Sequence, residues 1–263
     1  EIENKIKPYA LNNYDSAKKK LNDLIQSSVE KRLISDVPIG TFLSGGVDSS
    51  LITSVAQKIN KSPINTFSIG FKDAKHNESY HSKIVAKHLG TNHNEFILKE
   101  KDALNELEQI MDNFDEPFND SSALPTLLVS KMAKKHVSVC LSGDGGDELF
   151  MGYGAYNWAS RLSNPIIWPL RKSASKILAL SKRDFLKRGG LVLNCPKKNW
   201  KSHVFSQEQY LFFENEIRSI LIKGNNETIE KINIPLDLNR NINSIEKQSF
   251  FDLNNYLIND LLV

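Results

Sequence analysis

Three serines, two glycines and an aspartate lie close together at residues 44–50, which read SGGVDSS. The apolar run Val37–Leu43 comes directly before them, and a helical pattern begins at Ser49. Glycine lets the backbone turn sharply and approach a ligand closely. Free amides at the start of a helix, together with the helix dipole, favour an anion there, and the serine hydroxyls can donate further hydrogen bonds. The pattern therefore predicts a phosphate-binding loop between a strand and a helix.

Asp48 within this loop indicates a metal ion. A carboxylate repels a phosphate group unless a cation lies between them, and Mg²⁺ commonly bridges carboxylate and phosphate oxygens. The alternative is an aspartate that caps a helix after an ordinary glycine turn. The loop matches neither the GxxxxGK[ST] pattern nor the GxGxxG pattern, so these two well-known kinds of nucleotide loop are excluded here.

A second loop of the same kind reads SGDGGDELFMGY at residues 142–153 and follows the apolar run Val137–Leu141. It carries three acidic residues within five positions, Asp144, Asp147 and Glu148. Loops that follow parallel strands meet at one edge of the sheet, so we expect the two loops to be neighbours. Asp147 is then placed to share Mg²⁺ with Asp48, and Asp144 to act on a substrate. An acidic capped turn without metal is the alternative.

The elements that must position these loops alternate between strand-length apolar runs and helical patterns. The predicted strands are Val37–Leu43, Ile64–Phe71, Glu95–Leu98 and Val137–Leu141, and the predicted helices are 14–36, Ser49–Ile59, Glu78–Leu89, Asp102–Met111 and Ser121–Lys135. Such alternation predicts an α/β fold, a parallel twisted sheet with helices on both faces. We expect an N-terminal segment and helix at 1–36, the α/β domain at 37–156 and a mainly helical extension at 157–263.

Composition sets further bounds on the 263-residue chain, which is 40% hydrophobic and 25% charged, as in globular proteins. No apolar run approaches the roughly 20 residues that span a bilayer, and no signal peptide is apparent, so we expect no membrane partner. Cys140 and Cys195 form neither a metal-like nor a redox pair, which favours a cytoplasmic location. Since the first residue is Glu1 and not Met, we expect a piece of a longer protein.

The charge distribution is uneven, although the net charge is only +3. Residues 161–201 contain eleven lysines and arginines and one acid, Asp184. Solvated basic helix faces are the simplest interpretation, and a docking surface for a missing domain is the next. Nucleic acid is an unlikely partner, because stacking aromatic residues are not interleaved with the basic ones.

The two loops carry a family resemblance. SGGVDSS resembles the pyrophosphate loop of the N-type ATP pyrophosphatases, whose fold is adenine nucleotide α-hydrolase-like. SGDGGDELFMGY resembles the signature SG[DE]GxDE[LV]FxGY of the synthetase domain of glutamine-dependent asparagine synthetases. The resemblance continues through residues 115–117 (DEP), 120–122 (DSS), Pro125 and 89–91 (LGT) with His93. It covers residues 14–156 well and the remaining chain more loosely.

The resemblance implies an ATP- and Mg²⁺-dependent reaction in which a carboxylate, that of the aspartate side chain, is adenylated and then converted to an amide by ammonia. It places adenosine against Leu43, Ser44 and Ile69, with Glu78 nearby, and pyrophosphate on residues 44–49. Nucleotide contacts are thus expected from Leu43, Ser44, Gly45, Gly46, Asp48, Ser49, Ile69, Glu78, Ser142 and Gly143. Asp48 and Asp147 would hold the metal, and Asp144 would assist the attack of ammonia.

Several departures from the family pattern bear on these expectations. Many relatives have Glu at the position of Asp144, and Met151 replaces the usual Gly. The family's glutaminase half uses an N-terminal Cys, whereas this chain begins with Glu1 and stops at Val263, where a Lys-bearing K-x-D-R segment would begin. We therefore expect a partner glutaminase domain outside this chain, and no asparagine synthesis by these 263 residues alone. A homodimer is also expected.

Three other interpretations stay open from the sequence. The substrate could be a sugar acid of a surface polysaccharide, amidated by a related enzyme. The basic run would suit an RNA-modifying ATP pyrophosphatase, although such enzymes generally lack SGDGGDELF. The chain could also be a nucleotide-binding module without activity.

Overall fold

A computed structural model describes residues 13–71, 79–99, 122–194 and 242–262, together with single positions at 77, 101, 104, 106, 110, 112, 114, 120 and 204. These residues belong to two compact units that divide between Asp144 and Gly145. The domain boundaries expected from the sequence stay a prediction. In the part of the chain that the structure describes, no helix is both long and apolar enough to cross a membrane.

The first unit contains a parallel four-stranded sheet. Its strands are β1 (Ile39–Phe42), β2 (Asn65–Phe71), β3 (Asn92–Leu98) and β4 (Val139–Leu141), and their order across the sheet is β3-β2-β1-β4. Gly40 pairs with Asn65 on one side and with Cys140 on the other, which sets the register of the central strands. Every neighbouring pair is parallel, so all strand carboxyl ends lie at one edge.

Helices cover both faces of this sheet. The helices of the first unit are α1 (Tyr14–Leu33), α2 (Val47–Ile59), α3 (Ser79–Leu89) and α4 (Ala123–Ala133). On one face the buried hydroxyls of Thr41 and Thr53 lie 2.9 Å apart and join β1 to α2. The next residue, Phe42, points to the other face and packs against the cluster that includes Phe67 and Val129 of α4. This alternation is the two-residue period of a strand that is covered on both sides.

Local chemistry explains where these helices begin. The Asn13 side chain caps α1 by accepting hydrogen bonds from the amides of Asp15 and Ser16, as asparagine commonly does. Helix α2 packs against α1 through Val29, Val55 and Ala56, which are buried with Ile64. Helix α2, which follows the serine-rich loop, is therefore anchored by a hydrophobic core that it shares with α1.

The second unit is helical in its described residues. Its helices are α5 (Gly146–Phe150), α6 (Ala155–Leu162), α7 (Ile167–Ala179), α8 (Asp184–Leu193) and α9 (Ser244–Asn254), followed by a π-helical turn at Leu257–Leu261. Leu162, Val192 and Leu193 form a core against which Trp158 and Trp168 pack. Asn243 and Glu246 form a capping box that begins α9.

The predicted α/β fold with a helical extension is confirmed, and most element bounds agree to within two or three residues. The third strand is longer than predicted, since it begins at Asn92 and not Glu95, because ladder pairing with β2 extends to Asn65. The predicted helix 14–36 ends at Leu33. Most of the predicted helix Asp102–Met111 lies outside the described residues.

Candidate active site

The direction in which strands are added reverses at β1. The chain proceeds from β1 to β2 and β3 on one side, whereas β4 joins the opposite side of β1. Ligands of open α/β sheets bind outside the carboxyl ends of the strands at such a switch point. The loops after β1 and β4 are the two glycine-rich segments, residues 43–46 and 142–144. Both therefore lie where the topology favours a ligand.

The first loop is held by hydrogen bonds among its own serines. The Ser44 and Ser49 hydroxyl oxygens lie 2.8 Å apart, and the Ser44 amide donates to the Ser49 hydroxyl at 3.3 Å. The Gly46 amide donates to the Ser44 hydroxyl at 3.2 Å, and the Ser49 hydroxyl donates to the Gly46 carbonyl at 3.3 Å. The loop is preorganised around the first turn of α2, with Ser44 exposed and Ser49 buried.

Two glycines let other elements approach this turn closely. Gly45 has a φ of +88°, and a β-carbon there would lie 2.6 Å from the Ser82 amide nitrogen of α3. A β-carbon on Gly143 would lie 2.7 Å from the Ser49 amide nitrogen and 3.1 Å from the Asp48 β-carbon. The neighbouring atoms include backbone atoms, which cannot move aside without a large energetic cost. Residues 45 and 143 therefore have to be glycine. The predicted proximity of the loops after β1 and β4 is thus observed within the first unit.

The start of α2 has the properties of an anion site. Gly46 is its N-cap and offers no side chain to the first-turn amides, so in the described structure no side-chain oxygen caps them. Amides in that position and the positive end of the helix dipole attract phosphate. A phosphate therefore fits the residues that are present.

Asp48 lies half-buried in the first turn of α2. Among the described residues, no lysine or arginine forms an ion pair with it, and no group of three or more His, Cys, Asp or Glu could enclose a metal. Mg²⁺ needs no such enclosure, because it usually binds one or two carboxylates together with phosphate oxygens and water. One half-exposed carboxylate beside a phosphate cradle is a donor set that fits Mg²⁺.

The other predicted site residues in the first unit lie in the strands or directly after them. Leu43 is almost wholly buried, and its amide donates to the Phe67 carbonyl of β2 at 2.8 Å. Ile69 lies half-buried further along β2, while Ser142 and Asp144 are exposed after β4. Glu78 lies outside the described residues. Their roles stay predictions.

A chain of hydrogen-bonded polar side chains lies on the α2 face of the sheet. The two ring nitrogens of His93 on β3 lie 2.9 Å from the Thr66 hydroxyl and 3.2 Å from the Ser68 hydroxyl of β2. Burial lowers the pKa of His93 below its usual value, although Glu95 acts in the opposite direction. This histidine therefore acts as a neutral hydrogen-bonding link between the strands.

Asp147, the second predicted metal ligand, belongs to the second unit and lies half-buried on α5. Gly152 donates its amide to the Asp147 carbonyl at 2.9 Å. A β-carbon on Gly152 would lie only 1.8 Å from Asp147 Oδ1, so the carboxylate occupies the space that any side chain at residue 152 would need.

The residue after it, Glu148, is fully buried and was not predicted to be. Its Oε1 accepts a 2.7 Å hydrogen bond from the Tyr153 hydroxyl, and its carbonyl accepts one of 2.5 Å from the Ser249 hydroxyl. Burial and the neighbouring Glu148 raise the pKa of Tyr153 far above its usual range. Tyr153 is thus a permanent donor to this carboxylate.

A second buried acid, Asp252 on α9, lies close enough to interact with Glu148 electrostatically. Burial and the Glu148 charge raise its pKa to about 6, against the lowering effect of the neighbouring Gln248 and Tyr156 side chains. Gln248 Nε2 donates to Asp252 Oδ1 at 2.9 Å. Sequence reasoning missed this cluster: Glu148 and Tyr153 lie inside the SGDGGDELFMGY motif, but residues 248–252 (QSFFD) carry no recognisable signal.

The fold and loop geometry define a class, an α/β domain with a serine–glycine loop at its switch point. The sequence model of the asparagine synthase family matches residues 20–263. The chain is 32% identical over 258 residues to asparagine synthetase [glutamine-hydrolyzing] 1 of Bacillus subtilis, covering 95% of this chain and 39% of that protein. It is 46% identical over 135 residues to a putative asparagine synthetase [glutamine-hydrolyzing] 2 of Methanocaldococcus jannaschii, 49% of this chain and 25% of that protein.

The chain belongs to the asparagine synthase family. It spans about two fifths of the length of the B. subtilis relative. Among solved structures, an NH3-dependent NAD synthetase from Campylobacter jejuni is similar to 76% of this chain over 99% of its own length, with 14% identity and a TM-score of 0.37.

Proposed function

We propose that this chain is the synthetase domain of an ATP-dependent carbon–nitrogen ligase that converts the side-chain carboxylate of aspartate to an amide. The observation that carries the proposal is the serine–glycine loop at the switch point. Its Ser44 and Ser49 hydroxyls lie 2.8 Å apart at an uncapped helix start, an arrangement suited to phosphate. Family membership and the names of the relatives supply the reaction type.

The reaction proceeds in two steps, adenylation of the carboxylate and then amide formation. An oxygen of the substrate carboxylate attacks the α-phosphorus of ATP, and the bond to the bridging oxygen breaks to release pyrophosphate. The nitrogen of ammonia then attacks the acyl carbon, and AMP leaves with the electrons of the acyl–oxygen bond. The exposed carboxylate of Asp144 accepts a proton from the attacking nitrogen. Ammonia comes from a glutaminase domain outside these residues.

The chain contributes mainly position and charge. Ser44, Gly45, Gly46 and Ser49 hold the pyrophosphate as it departs, and Leu43, Ile69, Glu78, Ser142 and Gly143 surround the nucleoside. Groups that are already oriented stabilise the developing charge without reorganisation. Asp48 and Asp147 would hold Mg²⁺, and the bound ion would neutralise negative charge on the phosphate groups.

Isotope exchange between pyrophosphate and ATP tests the proposal on the natural full-length protein. Reversible adenylation predicts that labelled pyrophosphate enters ATP only when the correct acid is present. We expect exchange with aspartate, and none with glucuronate, galacturonate or without acid. If exchange occurs with a uronic acid and not with aspartate, the substrate is a sugar acid, and the proposed reaction type is retained. Absence of exchange with every acid, while asparagine still forms, would contradict the reversible adenylate.

Release of AMP distinguishes this mechanism from a kinase-type reaction. With aspartate, MgATP and ammonium we expect one AMP for each amide, and no ADP. A homodimer and a cytoplasmic location are further predictions, which gel filtration and fractionation would check.

A further inference from the structure

Helix α5, which carries Asp147, has too few residues to hold itself in place. It spans Gly146–Phe150, and left-handed residues bound it at both ends: Gly145 with φ +88° and Met151 with φ +59°. A helix of five residues is unstable in isolation, because nucleation fixes several residues for one hydrogen bond. Contacts from elsewhere in the unit must therefore determine where the Asp147 carboxylate lies.

Those contacts converge on the neighbouring residue, Glu148. The Ser249 hydroxyl on α9 donates to the Glu148 carbonyl at 2.5 Å, although 101 residues separate the two in sequence. The Tyr153 hydroxyl donates to Glu148 Oε1 at 2.7 Å. The backbone carbonyl and the side chain of Glu148 are thus held by two separate parts of the unit.

The tyrosine that holds Glu148 is itself restrained. The Tyr153 ring stacks on Tyr156 with centroids 6.0 Å apart and meets Tyr256 edge-on at 5.9 Å. Aromatic pairs at such distances add to packing energy beyond simple burial. Glu148 and Ser249 are themselves buried. Water therefore does not compete for these hydrogen bonds, and each one has a large effect on local geometry.

Asp147 and Glu148 are neighbours in the short helix α5, which is closed by backbone hydrogen bonds from Leu149 to Gly145 and from Gly152 to Asp147, so a shift of the Glu148 carbonyl also moves the Asp147 carboxylate. We infer that Tyr153 and Ser249 are positioning residues that orient Asp147 through Glu148. This inference rests on the proposed function, in which Asp147 holds Mg²⁺. Groups that orient a metal ligand typically change metal affinity about 10–100-fold when removed.

Binding of Mn²⁺ tests the inference without measuring turnover. Mn²⁺ replaces Mg²⁺ in oxygen sites, and the free ion gives an electron paramagnetic resonance signal that disappears on binding. The full-length protein is titrated with Mn²⁺ in the presence of a non-hydrolysable α,β-methylene ATP analogue. We expect Tyr153→Phe and Ser249→Ala each to weaken Mn²⁺ binding about 10-fold.

The matched control is Ser163→Ala, which removes a hydroxyl that donates to the Ala159 carbonyl at 2.7 Å in the same unit. We expect Mn²⁺ affinity within twofold of the unmodified protein for this variant. If Tyr153→Phe and Ser249→Ala bind Mn²⁺ as the control does, the inference is overturned.

Asp147→Asn separates failure of the inference from failure of the proposed function. Loss of Mn²⁺ binding in Asp147→Asn, with normal binding in the Tyr153 and Ser249 variants, would overturn only the positioning role. Unchanged binding in Asp147→Asn would overturn the metal role of Asp147 and the inference with it. If Tyr153→Phe fails to fold, the comparison of Ser249→Ala with Ser163→Ala still tests the positioning role.

Discussion

Gly143 lies so close to helix α2 that a β-carbon on it would be 2.7 Å from the amide nitrogen of Ser49. The two residues belong to the loops after β4 and β1, which are far apart in sequence but follow adjacent strands. Only glycine permits this approach, and the contact places the second loop against the helix start that we propose binds pyrophosphate.

We therefore expect Gly143→Ala to separate the two loops. Overpacking against backbone costs about 1–3 kcal/mol, and the displacement should weaken nucleotide binding at least 10-fold by calorimetry. Gly154→Ala is the control, because a β-carbon there meets no atom within 4 Å. Equal nucleotide affinity in the two variants would contradict the importance of the contact.

Asp48→Asn should remove the Mg²⁺ dependence of nucleotide binding. Asparagine keeps the size of the side chain but lacks the charge that attracts Mg²⁺, so calorimetric titration with ATP should give the same weak binding with and without Mg²⁺. Asp15→Asn is a matched control, since Asp15 is also acidic and lies in the first turn of a helix. Both changes lose a favourable interaction with a helix dipole of about 0.3–1 kcal/mol. Retention of Mg²⁺-dependent affinity in Asp48→Asn would refute the assignment.

Met151 has φ +59°, a left-handed conformation that costs a side chain with a β-carbon about 1–2 kcal/mol. We expect Met151→Gly to be neutral or to stabilise the second unit by up to about 1 kcal/mol, whereas glycine at an ordinary helical position costs about that much. Met151→Ile should destabilise it. The measurement is thermal unfolding followed by tryptophan fluorescence, which reports on this unit because all three tryptophans follow residue 144. A lower melting temperature for the glycine variant would contradict the strain argument.

Asp252 makes the stability of the second unit depend on pH. Its pKa in the folded protein is raised to about 6 from an ordinary 3.8. The folded state therefore binds the proton more tightly than the unfolded state, and stability falls as the pH rises from about 4 to about 6. We expect Asp252→Asn, which can still accept from Gln248, to be more stable than the unmodified protein at pH 7, by roughly 2 kcal/mol.

Urea unfolding at pH 4, 5.5 and 7 tests this expectation. The advantage of Asp252→Asn should shrink as the pH falls and should be largely lost near pH 4, where the carboxyl is protonated in the folded state and partly protonated in the unfolded state. A difference that stays constant, or that grows on acidification, would contradict burial as the cause.

Much of the first unit was predictable because its signals are local. Apolar runs of strand length alternate with helical periods, and this alternation predicts a parallel sheet wherever it occurs. The loops after Phe42 and Leu141 were also recognisable, because sharp turns and helix starts require particular residue types. The glycines and serines of residues 44–50 and 142–146 therefore predict an anion site at the carboxyl edge of the sheet.

Tertiary structure alone decided which residues touch across long separations. Asp147 and Glu148 are adjacent acids in one motif, and nothing local distinguishes them, yet one lies half-buried and the other is fully enclosed. Ser249, 101 residues away, reaches the Glu148 carbonyl from a segment that carries no motif. Burial and hydrogen bonding depend on how whole helices pack, and periodicity fixes only which face of a helix is apolar. The positions of the two loops could therefore be predicted from the sequence, whereas the packing of α9 against α5 was decided only in the folded chain.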